Sequence, residues 1–336
     1  MKNILIIIIP ILLLFSCGTE QRKQINTDKM SIKELSIVIE NDSTQAELYQ
    51  IRAEKYYKVN QIDSALNDYK KAIKLEDNHL DWLLKISDIY LFKGQSEKAR
   101  QSLDEALKLE PNNTKILLKM GMLYLLIEDH IKSFEYINNA ISVDPNMEKA
   151  YFYKSMNYIE VGDTTRAISE LQKAIEKNPD YIEAYIQLGL FYDALDDTIA
   201  RVYYKNAINI DSTNAFAQYD LGLHYQHQKE FNKAIRQYLY LLENIDSTFS
   251  TAIYNIGFIY LLYSDDFDTA INYFDQAIAL DYNYTEAYSN KGYALELKGE
   301  YNKAFIEYQT ALKITSDHIS AQKGLDRISK YIKNPN

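Results

Sequence analysis

Three of the five prolines in this 336-residue chain, Pro111, Pro145 and Pro179, stand 34 residues apart. No other feature limits the fold so strongly. A fixed period of this length marks a helix-turn-helix unit that cannot bury its apolar face alone and must stack on copies of itself. Phasing the chain on this period gives eight units, beginning at Ala46, Leu80, Thr114, Glu148, Ile182, Ala215, Ser250 and Thr285.

Within the unit, position 8 is always small: Ala53, Ser87, Gly121, Ser155, Gly189, Gly222, Gly257 and Gly292. Position 20 runs Ala65, Ala99, Ser133, Ala167, Ala200, Ala234, Ala270 and Ala304, and position 27 is alanine except for Leu241 in the sixth unit. Small side chains at these places let two helix axes approach to about 8–10 Å. Seven tyrosines occupy position 11, from Tyr56 to Tyr260, and are expected to fill the space that the small residues leave. Gly94, Gly162 and Gly299 share position 15, the turn between the two helices, where a left-handed conformation favours glycine.

This pattern resembles the tetratricopeptide repeat (TPR), an array of paired antiparallel helices. The resemblance implies an all-α fold: a right-handed α-solenoid superhelix of about eight TPR helix-turn-helix repeats with capping helices. It covers residues 46–318, with an N-terminal capping helix expected over 31–45 and a C-terminal one over 319–336. In the N-terminal cap, Ser36 is assigned to position 27. The fifth repeat is one residue short around Asp196–Asp197; the sixth is one long near Asp246 and the seventh around Asp265–Asp266. Leu241 is expected to loosen the junction between repeats six and seven.

Residues 1–16 read differently. Lys2 is their only charge, and the apolar run Ile4–Phe15, broken by Pro10, is about half the length needed to cross a bilayer. It reads as the core of a signal peptide. Leu14-Phe15-Ser16-Cys17 resembles the lipobox of bacterial lipoproteins, which implies lipidation of Cys17, the single cysteine. The polar stretch 17–30 reads as a flexible tether. Gly18 after the cysteine implies, by the same resemblance, delivery to the outer membrane.

The formal charge of −10 disfavours nucleic acid, whose binding relies on Lys and Arg facing phosphates. It also leaves any membrane attachment to the acyl chains. No phosphate loop, nucleophile elbow or HExxH motif is present, so neither catalytic residues nor a cofactor are expected. Asp220, His224 and His227 share one face of a helix, but two neutral histidines on a solvated face explain them better than a metal. Asp265, Asp266 and Asp268 read as acidic turn residues rather than a calcium loop.

In the resembled family the first helices line the concave face, partly through positions 5 and 9. Position 5 contributes Leu84, Leu118, Phe152, Ile186, Tyr219 and Tyr254 here, and position 9 contributes Met122, Met156, Leu190, Leu223, Phe258 and Tyr293. Being one helical turn apart, the two rows merge into an apolar stripe, the kind of surface that binds partners. Glu47, Glu54, Asp81 and Asp88 make the first two repeats acidic instead. The expected function is a non-enzymatic scaffold or adaptor lipoprotein that takes a protein or peptide partner in this groove, in envelope assembly, secretion or protease-adaptor complexes. The expected location is the bacterial envelope, lipid-anchored and facing the periplasm from the outer membrane. The alternative is a glycan-binding surface lipoprotein that uses Tyr219, Tyr254 and Tyr293 as stacking platforms.

Overall fold

The computed structural model describes residues 27–76 and 79–332. The expected signal peptide, Cys17, most of the expected tether and Pro335 lie outside the described residues. Among those described the chain is all-α, with eighteen α-helices, and it divides into two compact units after Pro111.

The first unit holds α1 (Ile32–Asn41), α2 (Ala46–Lys58), α3 (Ile62–Leu75), α4 (Leu80–Phe92) and α5 (Ser96–Leu109). The second begins with α6 (Thr114–Leu126), α7 (His130–Val143), α8 (Glu148–Glu160), α9 (Thr164–Lys177), α10 (Ile182–Ala194) and α11 (Ala200–Ile210). It continues with α12 (Ala215–His227), α13 (Phe231–Asn244), α14 (Ser250–Tyr263), α15 (Phe267–Leu280), α16 (Thr285–Leu297), α17 (Tyr301–Ile314) and α18 (Ile319–Ile328). All eight residues that open the 34-residue period are the first residues of helices.

The turn at position 15 is left-handed in all eight repeats. Gly94, Gly162 and Gly299 take φ of +68°, +75° and +78°, but Asn60, Glu128, Asp196, Lys229 and Asp265 occupy the same conformation in the other five. Three glycines therefore revealed a geometry that Asn60, Asp196 and Asp265 tolerate and that Glu128 and Lys229 adopt against their preference. The turn between repeats has its own device at position 31. Asp144, Asn178, Asp211, Asp246 and Asp281 each accept the amide two residues on, at 2.9–3.0 Å. These short side chains supply the bond that the turning backbone lacks.

Positions 20 and 27 are fully buried in every repeat, which fits the close approach of helices there. Position 8 is filled differently from the expectation. The group against it comes from position 24 of the second helix: Ile137 on Gly121, Tyr204 on Gly189, Tyr238 on Gly222, Phe274 on Gly257 and Tyr308 on Gly292. The position-11 tyrosines pack at the edge of their own hairpin. Tyr124, Tyr192 and Tyr260 stack on Tyr136, Tyr203 and Tyr273 at position 23. Lys98, Lys132, Arg166 and Lys233, all at position 19, lie 4.8–5.6 Å from the position-11 ring centroids. Leu241 does not loosen its junction: it is fully buried in one cluster with Ala252 and Ile256.

The first cap, α1, starts at Ser31, whose side chain and backbone form a capping box with Glu34. Asp42 accepts the Thr44 amide at 3.1 Å, the same turn that marks position 31 elsewhere. That register moves Ser36 from position 27 to position 25, where its hydroxyl accepts from Arg52 at 2.9 Å. Arg52 also makes a two-pronged pair with Asp68, at 2.6 and 2.8 Å, so one guanidinium joins α1, α2 and α3. The other cap, α18, brings Gly324 against the Tyr308 ring, which is thus enclosed by glycines from two helices.

Candidate functional site

The first helices of the second unit set the site. On α6, α8, α10, α12, α14 and α16, position 9 places Met122, Met156, Leu190, Leu223, Phe258 and Tyr293, none of them buried. Leu190 is the most open, at 41%. Position 5 lies deeper. Phe152, Ile186, Tyr219 and Tyr254 are half-buried, whereas Leu118 is buried and offers no surface. In the first unit Leu84 on α4 is likewise a core residue.

Sequence reasoning missed what covers position 5. Phe152, Tyr219 and Tyr254 pack against Tyr181, Phe249 and Tyr284, at 5.4, 5.2 and 4.9 Å between centroids. All three partners occupy the last place of the repeat, just before the next first helix, and their recurrence there was a readable signal. The tyrosine hydroxyls are engaged as well. Asn255 donates to Tyr219 at 3.2 Å and Asn290 to Tyr254 at 2.7 Å. Burial pushes the Tyr254 hydroxyl up to about 12. The apolar surface also extends beyond the expected rows, through Leu126, Leu262 and Leu297 at position 13, all exposed.

A polar cluster lies beside the row, between α10 and α12. Asp193, which the sequence reading passed over, pairs with His224 at 2.6 Å and with His227 at 3.1 Å, one carboxylate oxygen to each imidazole. His224 is buried, and its ring also faces Tyr204. Asp220 belongs to the same cluster, where burial and then the Asp193 charge push its carboxyl up to about 6. Among the described residues no group of three or more His, Cys, Asp or Glu side chains is placed to hold a metal ion. The turn acids have local roles: Asp266 caps α15 through the Thr269 amide at 3.1 Å, Asp268 pairs with Lys298, and Asp265 supplies the left-handed turn.

In the first unit, Glu54 and Asp88 line a cavity of about 340 Å³ together with Tyr57, Lys58, Tyr69, Lys85 and Ile89. The two lysines make this surface one of mixed charge rather than the purely acidic patch expected.

Comparison with known proteins agrees with this architecture. Family models described as tetratricopeptide repeat match residues 56–123, 114–147, 149–181 and 258–319. No curated protein matches the chain. Among solved structures, the C-terminal part of a TPR repeat-containing protein from Cytophaga hutchinsonii superposes with a TM-score of 0.58 at 17% identity, over 72% of this chain and 99% of that one. A tetratricopeptide repeat protein from Parabacteroides merdae gives 0.53 at 16% identity, over 74% and 97%. A chain of the APC/C hetero-tetramer Cut9–Hcn1 gives 0.55 at 18% identity, over 88% and 58%. These likenesses concern the fold. With the helix register and the family matches in agreement, the chain is a protein built of tetratricopeptide repeats.

Proposed function

We propose that this protein is a binding scaffold without chemistry of its own, held to a bacterial envelope membrane by lipid on Cys17, that takes a segment of another protein along the first helices of its second unit. One observation carries the reading: six successive first helices present Met122, Met156, Leu190, Leu223, Phe258 and Tyr293 at one position, none of them buried. An unbroken apolar row of this length favours an extended or helical segment as ligand, and two methionines let the row adapt to its shape. The engaged hydroxyls of Tyr219 and Tyr254 favour a polypeptide over a sugar, which needs free polar groups beside a stacking ring.

The test is photo-crosslinking in cells from position 223 or 258, with mass spectrometry of the captured protein. Capture should be lost in the Met156→Asp, Leu190→Asp double variant while far-UV circular dichroism stays unchanged. Capture that survives the double change overturns the assignment. The anchor is tested separately: metabolic labelling with a radioactive fatty acid should mark the wild-type chain and not Cys17→Ser.

A further inference from the structure

At the α18 end of the row, Phe258 and Leu262 of α14, Ser289, Asn290 and Tyr293 of α16, Tyr308 of α17, and Ser320, Lys323 and Arg327 of α18 enclose a cavity of about 350 Å³. In a chain of net charge −10, this lining contains two cations and no carboxylate. Arg327 is held in place: Glu296 accepts two of its hydrogen bonds, at 2.7 and 2.8 Å, and its guanidinium lies 5.3 Å from the Tyr293 ring centroid. Lys323, one turn earlier on α18, is exposed and forms no ion pair among the described residues. Glu296 therefore offsets one cation and leaves the other uncompensated beside an aromatic floor. Asn290 donates to Tyr254 through its amide nitrogen, which leaves its carbonyl oxygen to accept a passing backbone N–H.

We infer that this cavity is a specificity pocket for an acidic side chain of the bound segment, an Asp or Glu within about two residues of an aromatic or aliphatic side chain. The carboxylate pairs with Lys323 and the outer edge of Arg327, and the apolar neighbour rests on Phe258, Leu262 and Tyr293. Phe258 and Tyr293 belong both to this cavity and to the position-9 row, so a segment lying along the row crosses the cavity. The group it places there is a side chain rather than a chain terminus. Size agrees: the volume is at the low end for a ligand site and suits one or two side chains rather than a folded surface. This inference rests on the reading of the row as the binding surface.

The test is phage selection of random twelve-residue peptides, displayed internally so that no free C-terminus is present, against the full chain and against Lys323→Glu. Lys323 is exposed and unpaired, so its replacement leaves the packing intact. The wild type should enrich peptides that pair Asp or Glu with an aromatic or aliphatic neighbour. For a selected peptide, Lys323→Glu should weaken binding by about fivefold or more in fluorescence anisotropy, because an attractive exposed pair becomes a repulsive one. The Asp→Asn form of that peptide should lose most of the difference between the two proteins. Equal selection by both proteins, or enrichment of apolar peptides without an acid, overturns the pocket and leaves the row standing. An acidic preference seen only in a library with free C-termini also overturns it, in favour of a terminal carboxylate. Selection of no peptide overturns both readings.

Discussion

The ring of Tyr238 lies directly on the α-carbon of Gly222, so close that a Cβ there would collide with the ring. Tyr238 is fully buried and has no room to withdraw. Gly222→Ala should therefore destabilise the protein by about 1–3 kcal/mol, the usual effect of overpacking, read from the urea midpoint at unchanged m-value. Adding Tyr238→Leu should recover much of the loss, because the two changes share one contact and will not add.

Turn chemistry gives a prediction of opposite sign. Glu128 and Lys229 hold φ of +61° and +59°, where three other repeats use glycine. Glu128→Gly and Lys229→Gly should each stabilise by about 1 kcal/mol, since a side chain in this region is strained. Thermal unfolding of both single variants, with Glu128→Ala as a control that keeps the strain, measures the difference.

The raised carboxyl of Asp220 implies a pH dependence. Below about pH 4 the group is protonated in both folded and unfolded chains. Between about pH 4 and 6 only the folded chain keeps the proton, so stability falls as pH rises through that window and stays lower above it. The full effect is about 3 kcal/mol for two pH units. Facing groups are Asp193, which itself holds His224 and His227, and the hydroxyls of Tyr204, Tyr219 and Tyr238. Asp220→Asn should be the more stable protein at pH 7.5, and its stability should lose the Asp220 part of the fall between pH 4 and 6. Equal slopes for the two proteins in urea titrations across that range refute the assignment.

Arg52 makes the fourth prediction. Its pair with Asp68 is mostly shielded, with side-chain exposures of 15% and 10%, and the same guanidinium reaches α1 through Ser36. Arg52→Ala should cost about 2–3 kcal/mol, somewhat less than the loss of a fully buried pair. Amide hydrogen exchange in α1 should accelerate, whereas exchange in α16 and α17 should not change.

The helix register was readable because each repeat restates the same demands. Eight small residues at position 8 and eight at position 20 fix the phase, and one irregular turn does not disturb it. The partner of position 8 was equally present in the sequence but was misassigned. Gly189, Gly222, Gly257 and Gly292 are matched by the rings of Tyr204, Tyr238, Phe274 and Tyr308, whereas Ser87 and Ser155 go with Leu103 and Leu171. That reciprocity of size, kept in six of the eight repeats, points to position 24 as the filler, whereas position 11 is tyrosine in seven of eight whatever position 8 holds. Other features depend on the chain's path and leave no periodic trace. Asp193 lies 31 residues before His224, on a different helix, and nothing in either residue's neighbourhood announces their pairing. Burial of Leu84 and Leu118 was hidden too, because an apolar residue at position 5 reads the same in the sequence whether it is buried or open.

Tyr308 is enclosed by Gly292 on one side and Gly324 on the other, so the eighth repeat is completed only by the helix that follows it. A protease trimming this tail past residue 324 would remove one wall of that enclosure and wet an aromatic side chain that is otherwise dry. The seventh repeat would then border a frayed neighbour, and damage begun at the tail could pass inward hairpin by hairpin. The length of the last helix thus sets how much wear the stack tolerates before it starts to unravel.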